Sequence, residues 1–537
     1  MKARGYNRRL FREIDREELE LNLCSIQESN GITKEVIEYF ANGNQELKEA
    51  IEYLVDTFTD AKEYGSILEV KSINIDVIKK RFGEVKEDQN FIFGDYREII
   101  LRKLPCLIKE YDIISKKYEV CVTNPPYMGR KGMTDKITKY IDCNYSASKS
   151  DLFSVFMELA YKKIIYKGYI SIINQHSWMF LTSFEEIRKI YLTKCNIINM
   201  VHLGQRAFEE ITGEVVQSTV FVAKKSKILS YRAKYMRLLD EKNSIEKEKA
   251  FIINRSYEGA NTFIRNNDKF LNISGFPIAY WVSNKVIEIF NNKPFYDISI
   301  SDGKNVTGNN EKFLRNIWEV DINNIGINKK WLLYAKGGTF RKWFGNLDYV
   351  IDWSSETRSY YRQNKVSRII PEYLWYKEGI TWTLITSGLP SFRLLPTDAT
   401  FDSGGLTIFL KDDSKINYYL GLFNSKVFKL IQEILNPTLN LLIKDIRSVP
   451  IIYVGNEEIE RLVKENIDLC RSEWDSFEIS LDYKKHPLIN NLDYKVNNKL
   501  IEIYSEYMSD VKNTFNIVKC NEEELNRIFI DIYGLQD

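Results

Sequence analysis

The sequence predicts an α/β protein: a mostly parallel sheet closed by an antiparallel pair in the first half, a strand-rich second half and helices at the end. Three observations predict this arrangement. Between residues 90 and 223, apolar strand-like runs alternate with amphipathic helical stretches, as in a sheet with crossover helices. Beyond about residue 275, turn sequences such as Asp302-Gly303 and Gly404-Gly405 separate short apolar runs. From about residue 414, apolar residues return to helical spacing.

The composition is that of a cytoplasmic protein with several domains. The chain has 537 residues, of which 44% are hydrophobic and 28% charged, and its net charge is +2. Its seven cysteines show no CxxC spacing, so we expect free thiols in a reducing compartment. Three scattered histidines do not suggest a zinc site. We see no membrane span and no signal peptide, which favours the cytoplasm.

We expect three regions along the chain. The first covers residues 1–245 and includes a helical insertion at about 30–88, where an apolar stripe over 33–64 has helical period. A charged linker poor in glycine and proline follows, from 224 to about 270. The second region covers 270–450, and the third, over 451–537, consists of amphipathic helices with acidic faces.

The most informative stretch is Asn124-Pro125-Pro126-Tyr127, which follows the strand-like run Tyr118–Val122. Two prolines remove two backbone donors and fix φ, so the strand ends there in a rigid loop. Ligands bind at that end of strands in open α/β sheets. The Asn124 amide oxygen and the Pro125 carbonyl can accept both N–H bonds of a nucleobase amine, and Tyr127 offers a face for an extruded base. The alternative is a plain proline turn after a buried strand.

Two further segments carry candidate residues of this first region. The run Phe91–Tyr96 reads as a strand that ends in Gly-Asp, which places Asp95 at a strand tip, although Gly-Asp is also a common turn. Ser150-Asp151 predicts the N-cap of a helix that carries Phe156. The polar segment 128–149 between them is a candidate mobile flap.

Residues 329–368 form a basic and aromatic patch in the second region. They hold nine Lys and Arg residues against three Asp and Glu, with nine aromatic residues interleaved. Basic and aromatic side chains together suit a nucleic-acid surface. A solvated basic edge on a domain whose aromatic residues form the core is an equally weighted interpretation. The candidate DNA contacts are Lys336, Arg341, Lys342 and Trp343.

Several stretches together point to a family. They include VTNPPYMG at 122–129, KSDLFSVFMELA at 149–160, NQHSWMFL at 174–181, GEVVQSTVFV at 213–222 and KGGTFRKWFGN at 336–346. In these stretches the chain resembles the gamma-type DNA adenine-N6 methyltransferases, and among them the PglX methylases of BREX phage-defence systems. The resemblance implies a site-specific DNA adenine-N6 methyltransferase that uses S-adenosyl-L-methionine, for self-marking in phage defence or restriction-modification.

The resemblance also implies roles for single residues. Asn124 and Pro125 hold the target N6 amine beside Pro126, and Tyr127 stacks on the flipped adenine. Asp95, Tyr96, Pro126 and Phe156 match positions that bind the cofactor. Residues 270–450 match the α+β target-recognition domain, with double-stranded DNA as the partner.

One departure from the family raises a second hypothesis. The family's Gly-rich turn for the methionine carboxylate and its ribose-binding acid precede residues that resemble Met1–Arg4. We therefore expect an incomplete Rossmann-like methyltransferase sheet that lacks its first strands, as in an N-terminally truncated or split protein. The missing motifs would then come from a companion chain or other BREX components. The alternative function is a catalytically crippled DNA-binding or complex-forming subunit. A methylase of RNA or of protein glutamine would retain the loop but needs a smaller recognition module.

Overall fold

The computed structural model describes residues 22–88, 91–208, 216–256, 259, 261–385, 388–438, 440–490 and 500–536. The chain divides into two compact units of mixed α and β structure. The first unit comprises Met1–Trp178 and Glu186–Asn267, and the second comprises Met179–Glu185 and Asp268–Asp537. The described residues form one six-stranded and two four-stranded sheets. None of their helices is long and apolar enough to cross a membrane.

The first unit begins with a cluster of helices. These are α1 (Lys34–Ala41), α2 (Gln45–Thr57), α3 (Ala61–Tyr64), α4 (Ile75–Glu87) and α5 (Gly94–Ser115). The helical stripe predicted over 33–64 is confirmed, but it is broken where Asn42 and Gly43 adopt positive φ and again at Asp60. The side chains of Ile51, Phe58, Leu104 and their neighbours form a closed core.

The strand predicted over Phe91–Tyr96 is wrong. Residues Phe91–Phe93 form a single 3₁₀ turn, and α5 begins at Gly94. Downstream apolar residues at helical spacing, from Ile100 to Tyr111, are buried in the helical cluster and carry the helix through this segment. A short apolar run cannot be assigned to strand or helix by its periodicity alone, and here tertiary packing decides.

A six-stranded sheet follows. Its strands are β1 (Tyr118–Thr123), β2 (Ile164–Gln175), β3 (Asn196–Gly204), β4 (Ser218–Lys224), β5 (Arg232–Arg237) and β6 (Thr262–Asn266), in the order β1-β2-β4-β3-β5-β6. The accompanying helices are α6 (Asp135–Asn144), α7 (Leu152–Lys163), α8 (Glu185–Lys194) and α9 (Ser244–Ser256).

Two sequence predictions about this sheet need correction. The β3–β4 pair is antiparallel, as predicted, and the β1–β2 and β3–β5 pairs are parallel. Because β4 also pairs with β2 in the antiparallel sense, and β6 pairs with β5 in the same way, the sheet is mixed rather than mostly parallel. The charged segment 224–270, predicted as a linker, contains β5, α9 and β6. The segment 128–149, a candidate mobile flap, contains α6, and its mobility stays a prediction.

One face of this sheet is more deeply buried than the other. Along β2, Ile170, Ile172 and Asn174 are fully buried, whereas Tyr169 on the opposite face is exposed. Val120 of β1 pairs with Tyr169 and is exposed as well. We call the side with Val120 and Tyr169 the open face.

The second unit contains two four-stranded sheets, ordered β13-β9-β10-β8 and β12-β11-β14-β7. Their strands are β7 (Ser299–Ile300), β8 (Leu314–Asn316), β9 (Trp331–Ala335), β10 (Tyr349–Asp352), β11 (Gly379–Trp382), β12 (Phe392–Leu395), β13 (Ala399–Phe401) and β14 (Thr407–Leu410). The helices are α10 (Asn284–Ile289), α11 (Asn310–Phe313), α12 (Ser355–Gln363), α13 (Ile416–Phe423), α14 (Lys426–Leu435), α15 (Ile443–Arg447), α16 (Glu457–Trp474), α17 (Pro487–Asn490) and α18 (Leu500–Ile532).

Glu110 of α5 makes the stability of the helical cluster depend on pH. One carboxylate oxygen accepts a hydrogen bond from the Gln27 amide at 2.7 Å, and the other is buried without a partner. Burial raises the pKa of Glu110 from 4.5 to about 7. Between these values the folded chain holds a proton that the unfolded chain releases, so the free energy of unfolding falls as pH rises.

We predict that Glu110→Gln removes this pH dependence. Relative to the variant, the parent chain should lose about 2 kcal/mol of unfolding free energy between pH 4.5 and pH 7. Urea unfolding across that range measures the difference. Glu98→Gln, at an exposed position of the same helix, is the control and should follow the parent chain. An unchanged pH dependence in Glu110→Gln would show that Glu110 is not its source.

Candidate active site

The loop after β1 lies where the sequence predicts it. β1 ends at Thr123 and pairs in parallel with β2, which ends at Gln175. Asn124 and Pro126 are exposed, whereas Pro125 is buried. The loop therefore leaves Asn124 accessible to solvent, while the next residue, Pro125, is packed into the protein.

Tyr127 buries its hydroxyl. Its ring is half-buried and meets the Phe153 ring edge-on, with 6.1 Å between centroids. Burial raises the pKa of Tyr127, and the nearby Ser218 hydroxyl lowers it by a smaller amount. Both hydroxyls are buried, and neither makes a hydrogen bond of standard geometry. Ser218 was not predicted from the sequence.

Asp151 fastens the loop to the start of α7. As the N-cap of that helix, its Oδ1 accepts from the Phe153 amide at 3.2 Å, as the sequence predicts. The same oxygen accepts from the Met128 amide at 3.1 Å, and the Leu152 amide donates to the Met128 carbonyl at 3.0 Å. Burial raises the pKa of Asp151, while these backbone donors lower it. One carboxylate thus holds the end of the loop and the start of a helix.

The four predicted cofactor residues lie in three different surroundings. Asp95 is exposed in the first turn of α5 rather than at a strand tip. Tyr96 packs among aromatic rings of the helical cluster, 6.1 Å from Tyr39 and 6.0 Å from Phe93 between centroids. Pro126 is exposed in the loop, and Phe156 packs against a second apolar cluster around Tyr145. Their joint role in binding S-adenosyl-L-methionine stays a prediction.

A buried polar network at the ends of β2 and β3 was not predicted from the sequence. His176 Nδ1 and His202 Nε2 are 3.0 Å apart, and burial lowers their pKa values to about 4 and about 3, so both rings are neutral at pH 7. Nearby, Trp178 donates to the Thr219 hydroxyl, which donates to the Asn174 amide oxygen at 2.9 Å. The polar residues of the stretches 174–181 and 213–222 were the available signal, since both resemble the family.

The predicted DNA contacts of the second unit are largely occupied within the unit. Trp343 is buried, and its indole N–H donates to Glu522 Oε1 at 2.9 Å. Lys342 binds the other oxygen of Glu522 at 2.7 Å, and Arg341 pairs with Glu473. Trp343 is therefore a core residue, and its burial contradicts its prediction as a DNA contact on the surface.

The aromatic residues of the basic patch follow the same pattern. Lys336 is half-buried over the Tyr349 ring. Five of the nine aromatic residues in 329–368 are buried: Tyr334, Trp343, Phe344, Trp353 and Tyr361. The exposed basic side chains are Lys329, Lys330, Arg362, Lys365 and Arg368. The interpretation with an aromatic core fits this part of the chain better.

Comparison with known proteins finds related methylases. Residues 13–208 match the Eco57I restriction-modification methylase family. Over 504 residues the chain is 36% identical to the adenine-specific methyltransferase PglX of Lacticaseibacillus casei (strain Zhang). Over 487 residues it is 33% identical to the adenine-specific methyltransferase BrxX of Escherichia coli O9:H4 (strain HS). Both alignments cover 89% of this chain. Over most of its length the chain is therefore similar to adenine-specific methyltransferases.

The chain spans only part of these relatives. It covers 42% of PglX and 39% of BrxX. Among solved structures, the chain is similar to the type IIL restriction-modification enzyme MmeI in complex with DNA, with a TM-score of 0.46 and 10% identity over 78% of this chain and 55% of that one. That similarity supports no functional argument. Within the described ranges, no group of His, Cys, Asp or Glu residues is arranged to hold a metal ion.

We predict that Asp151→Ala loosens the loop as well as the helix. Loss of the N-cap should cost about 1 kcal/mol, and loss of the Met128 hydrogen bond should free that amide. Hydrogen exchange measured by mass spectrometry should therefore speed up in peptides that cover residues 124–129. The control is Asn44→Ala, which removes a cap that serves the Leu47 amide of α2. It should lower stability by a similar amount and leave exchange in 124–129 unchanged. Unchanged hydrogen exchange in Asp151→Ala would contradict the role of Asp151 in holding the loop.

Proposed function

We propose that this chain carries the base-binding half of a site-specific DNA adenine-N6 methyltransferase that marks self DNA in phage defence or restriction-modification. The observation that carries the proposal is the Asn124–Tyr127 loop at the end of β1, in a chain related to PglX and BrxX. Asp151 holds the end of this loop, and the Tyr127 ring packs edge-on against Phe153. The methyl donor proposed for the family reaction is S-adenosyl-L-methionine. In this reading the six-stranded sheet is part of a Rossmann-like methyltransferase sheet.

The chain's own residues supply the base-binding chemistry. The nitrogen lone pair of an adenine amine is delocalised into the ring, which makes the amine a poor nucleophile. The Asn124 Oδ1 atom and the Pro125 carbonyl would accept its two N–H bonds and return electron density to the nitrogen. Tyr127, with its hydroxyl buried and its ring half-exposed, would stack on the flipped base. Because the two acceptors lie on a rigid loop, little reorganisation is needed when the base arrives.

We predict that Asn124→Ala abolishes adenine methylation, with a loss of at least about 100-fold in rate, because one preorganised hydrogen-bonding partner is lost. Asn124→Asp keeps an acceptor oxygen and should retain measurable activity. Methylation of DNA is followed by transfer of a labelled methyl group, under conditions in which the parent chain is active. Asn513→Ala, at an exposed position of α18, is the control. Full activity in Asn124→Ala would contradict the role of the loop.

The exposed edge strand of the sheet, β1, is relevant to where the cofactor would bind. β1 is the terminal strand of the described sheet, and Val120 and Val122 expose 58% and 73% of their surface. An exposed apolar edge strand is a template for pairing with another chain. We propose that further polypeptide, in the same protein or in a companion chain, adds strands beside β1 and covers the open face. This polypeptide would supply the Gly-rich turn to which the family resemblance assigns the methionine carboxylate.

We predict that calorimetry detects S-adenosyl-L-methionine binding only when a fragment with the family's Gly-rich turn is added to the chain. Val122→Lys should block this gain, because it places a charge on the surface that the fragment covers. Ile228→Lys changes an exposed apolar position between β4 and β5 and should leave this gain unchanged. Tight binding by the chain alone would refute the need for a companion.

A second candidate function rests on the lack of the family's Gly-rich turn in this sequence: a DNA-binding or complex-forming subunit without methyl transfer. This second function would be favoured if calorimetry detects no cofactor binding by the chain alone or by the chain with the added fragment. Double-stranded DNA remains the proposed partner in both cases. The exposed cations of 329–368 are better candidates for its phosphates than Trp343, because they are accessible and sequence-independent phosphate contacts need only positive charge.

A further inference from the structure

The long helix α18 is firmly held only along its C-terminal part. Leu525 and Phe529 are buried, and the Phe529 ring meets Tyr418 of α13 with 5.4 Å between centroids. The Asn521 amide donates to Asn466 of α16 at 3.0 Å. Further toward the N-terminus of the helix, Ile503 is buried on the same side. One face of α18 therefore already has partners in the second unit.

A different face carries an exposed apolar stripe. Its members follow one another at alternating intervals of three and four residues and expose between 43% and 65% of their surface: Ile501, Tyr504, Met508, Val511 and Phe515. We call this set the heptad stripe. Alternation of three and four is the spacing at which one helix packs along another in a coiled coil.

The heptad stripe differs from ordinary surface composition. Single exposed apolar residues are common on folded proteins and need no explanation. Here five such residues form one continuous row about 21 Å long on a single helix. A row of this shape fits the apolar stripe of another helix, because knobs from each helix fill holes on the other.

The flanking positions decide what kind of helix fits. On one flank, Lys512 and Lys519 lie one heptad apart, and the third residue of that flank is Ser505. Lys519 has only a weak ion pair with Glu523, at 3.8 Å between largely exposed side chains. The residues of the other flank are Leu500, Tyr507 and Thr514. Neither flank has a carboxylate, so a second copy of this chain offers no acidic partner to the two lysines in either relative orientation.

We propose that the heptad stripe binds an amphipathic helix of another polypeptide that carries acidic residues beside its own apolar stripe. Apolar side chains supply the buried contact, and the charges at flanking positions select the partner and its orientation. This surface is separate from the proposed methyl transfer and does not depend on it.

The test uses the full chain and two synthetic peptides of about three heptads with the same leucine and isoleucine stripe. One peptide has glutamate at the flanking positions, and the other has lysine. The acidic peptide should bind at least about tenfold more tightly in fluorescence anisotropy, and added salt should weaken it. Met508→Asp should weaken binding at least about tenfold. Asn513→Asp, which adds the same charge on the opposite side of α18, should leave it unchanged.

A charge exchange provides a second test that does not alter the stripe. In Lys512→Glu combined with Lys519→Glu, two exposed side chains change sign, and the preference should shift to the basic peptide. Circular dichroism establishes that each variant is folded. Equal affinity for both peptides, or no binding of either, would overturn the proposal. A dimer of the parent chain that dissociates in Met508→Asp but persists in Asn513→Asp would also overturn it, because the occupant would then be a second copy.

Discussion

The candidate active site depends on one carboxylate. Asp151 accepts from the amide that opens α7 and from the amide that closes the loop of Asn124–Tyr127, two segments that the chain separates by more than 20 residues. A loop with two prolines is stiff, but stiffness alone does not fix its direction relative to the sheet. The shared acceptor sets that direction, and the half-buried Tyr127 packs at the end of the loop. Asn124 can then stay exposed while its backbone is held in place.

The parts of the molecule that the sequence predicted are those with local causes. β1 ends where two prolines remove its donors, and α7 begins where Asp151 caps it, so both followed from neighbouring residues. The strand predicted around Asp95 was wrong because a short apolar run fits a strand or a helix equally well, and packing against α1 and α4 decides between them. The prediction of a mostly parallel sheet failed for a related reason, since the insertion of β4 between β2 and β3 is a long-range pairing.

The site residues also divide into those with local causes and those with long-range causes. Asn124 and Tyr127 carry a recognisable local pattern, whereas His176, His202 and Ser218 acquire meaning only when separate strands bring them together. Trp343 shows the opposite error. Interleaved aromatic and basic residues have the composition of a nucleic-acid surface, but composition does not say which side of a strand faces the core. The two exposed apolar surfaces also differ in chemistry: β1 offers backbone donors and acceptors with little selectivity, and α18 offers side chains whose charge discriminates between partners.

The contacts of Glu522 have a practical consequence for anyone who shortens this chain. One carboxylate neutralises Lys342 and accepts from the buried Trp343 indole, and both of these lie about 180 residues earlier in the sequence. A recombinant piece that stops before Glu522 leaves an ammonium group and an indole N–H without their acceptor in a poorly hydrated place. The smallest autonomous version of the second unit therefore extends into the last helix, and truncation series should treat the residues around 343 and 522 as a single element.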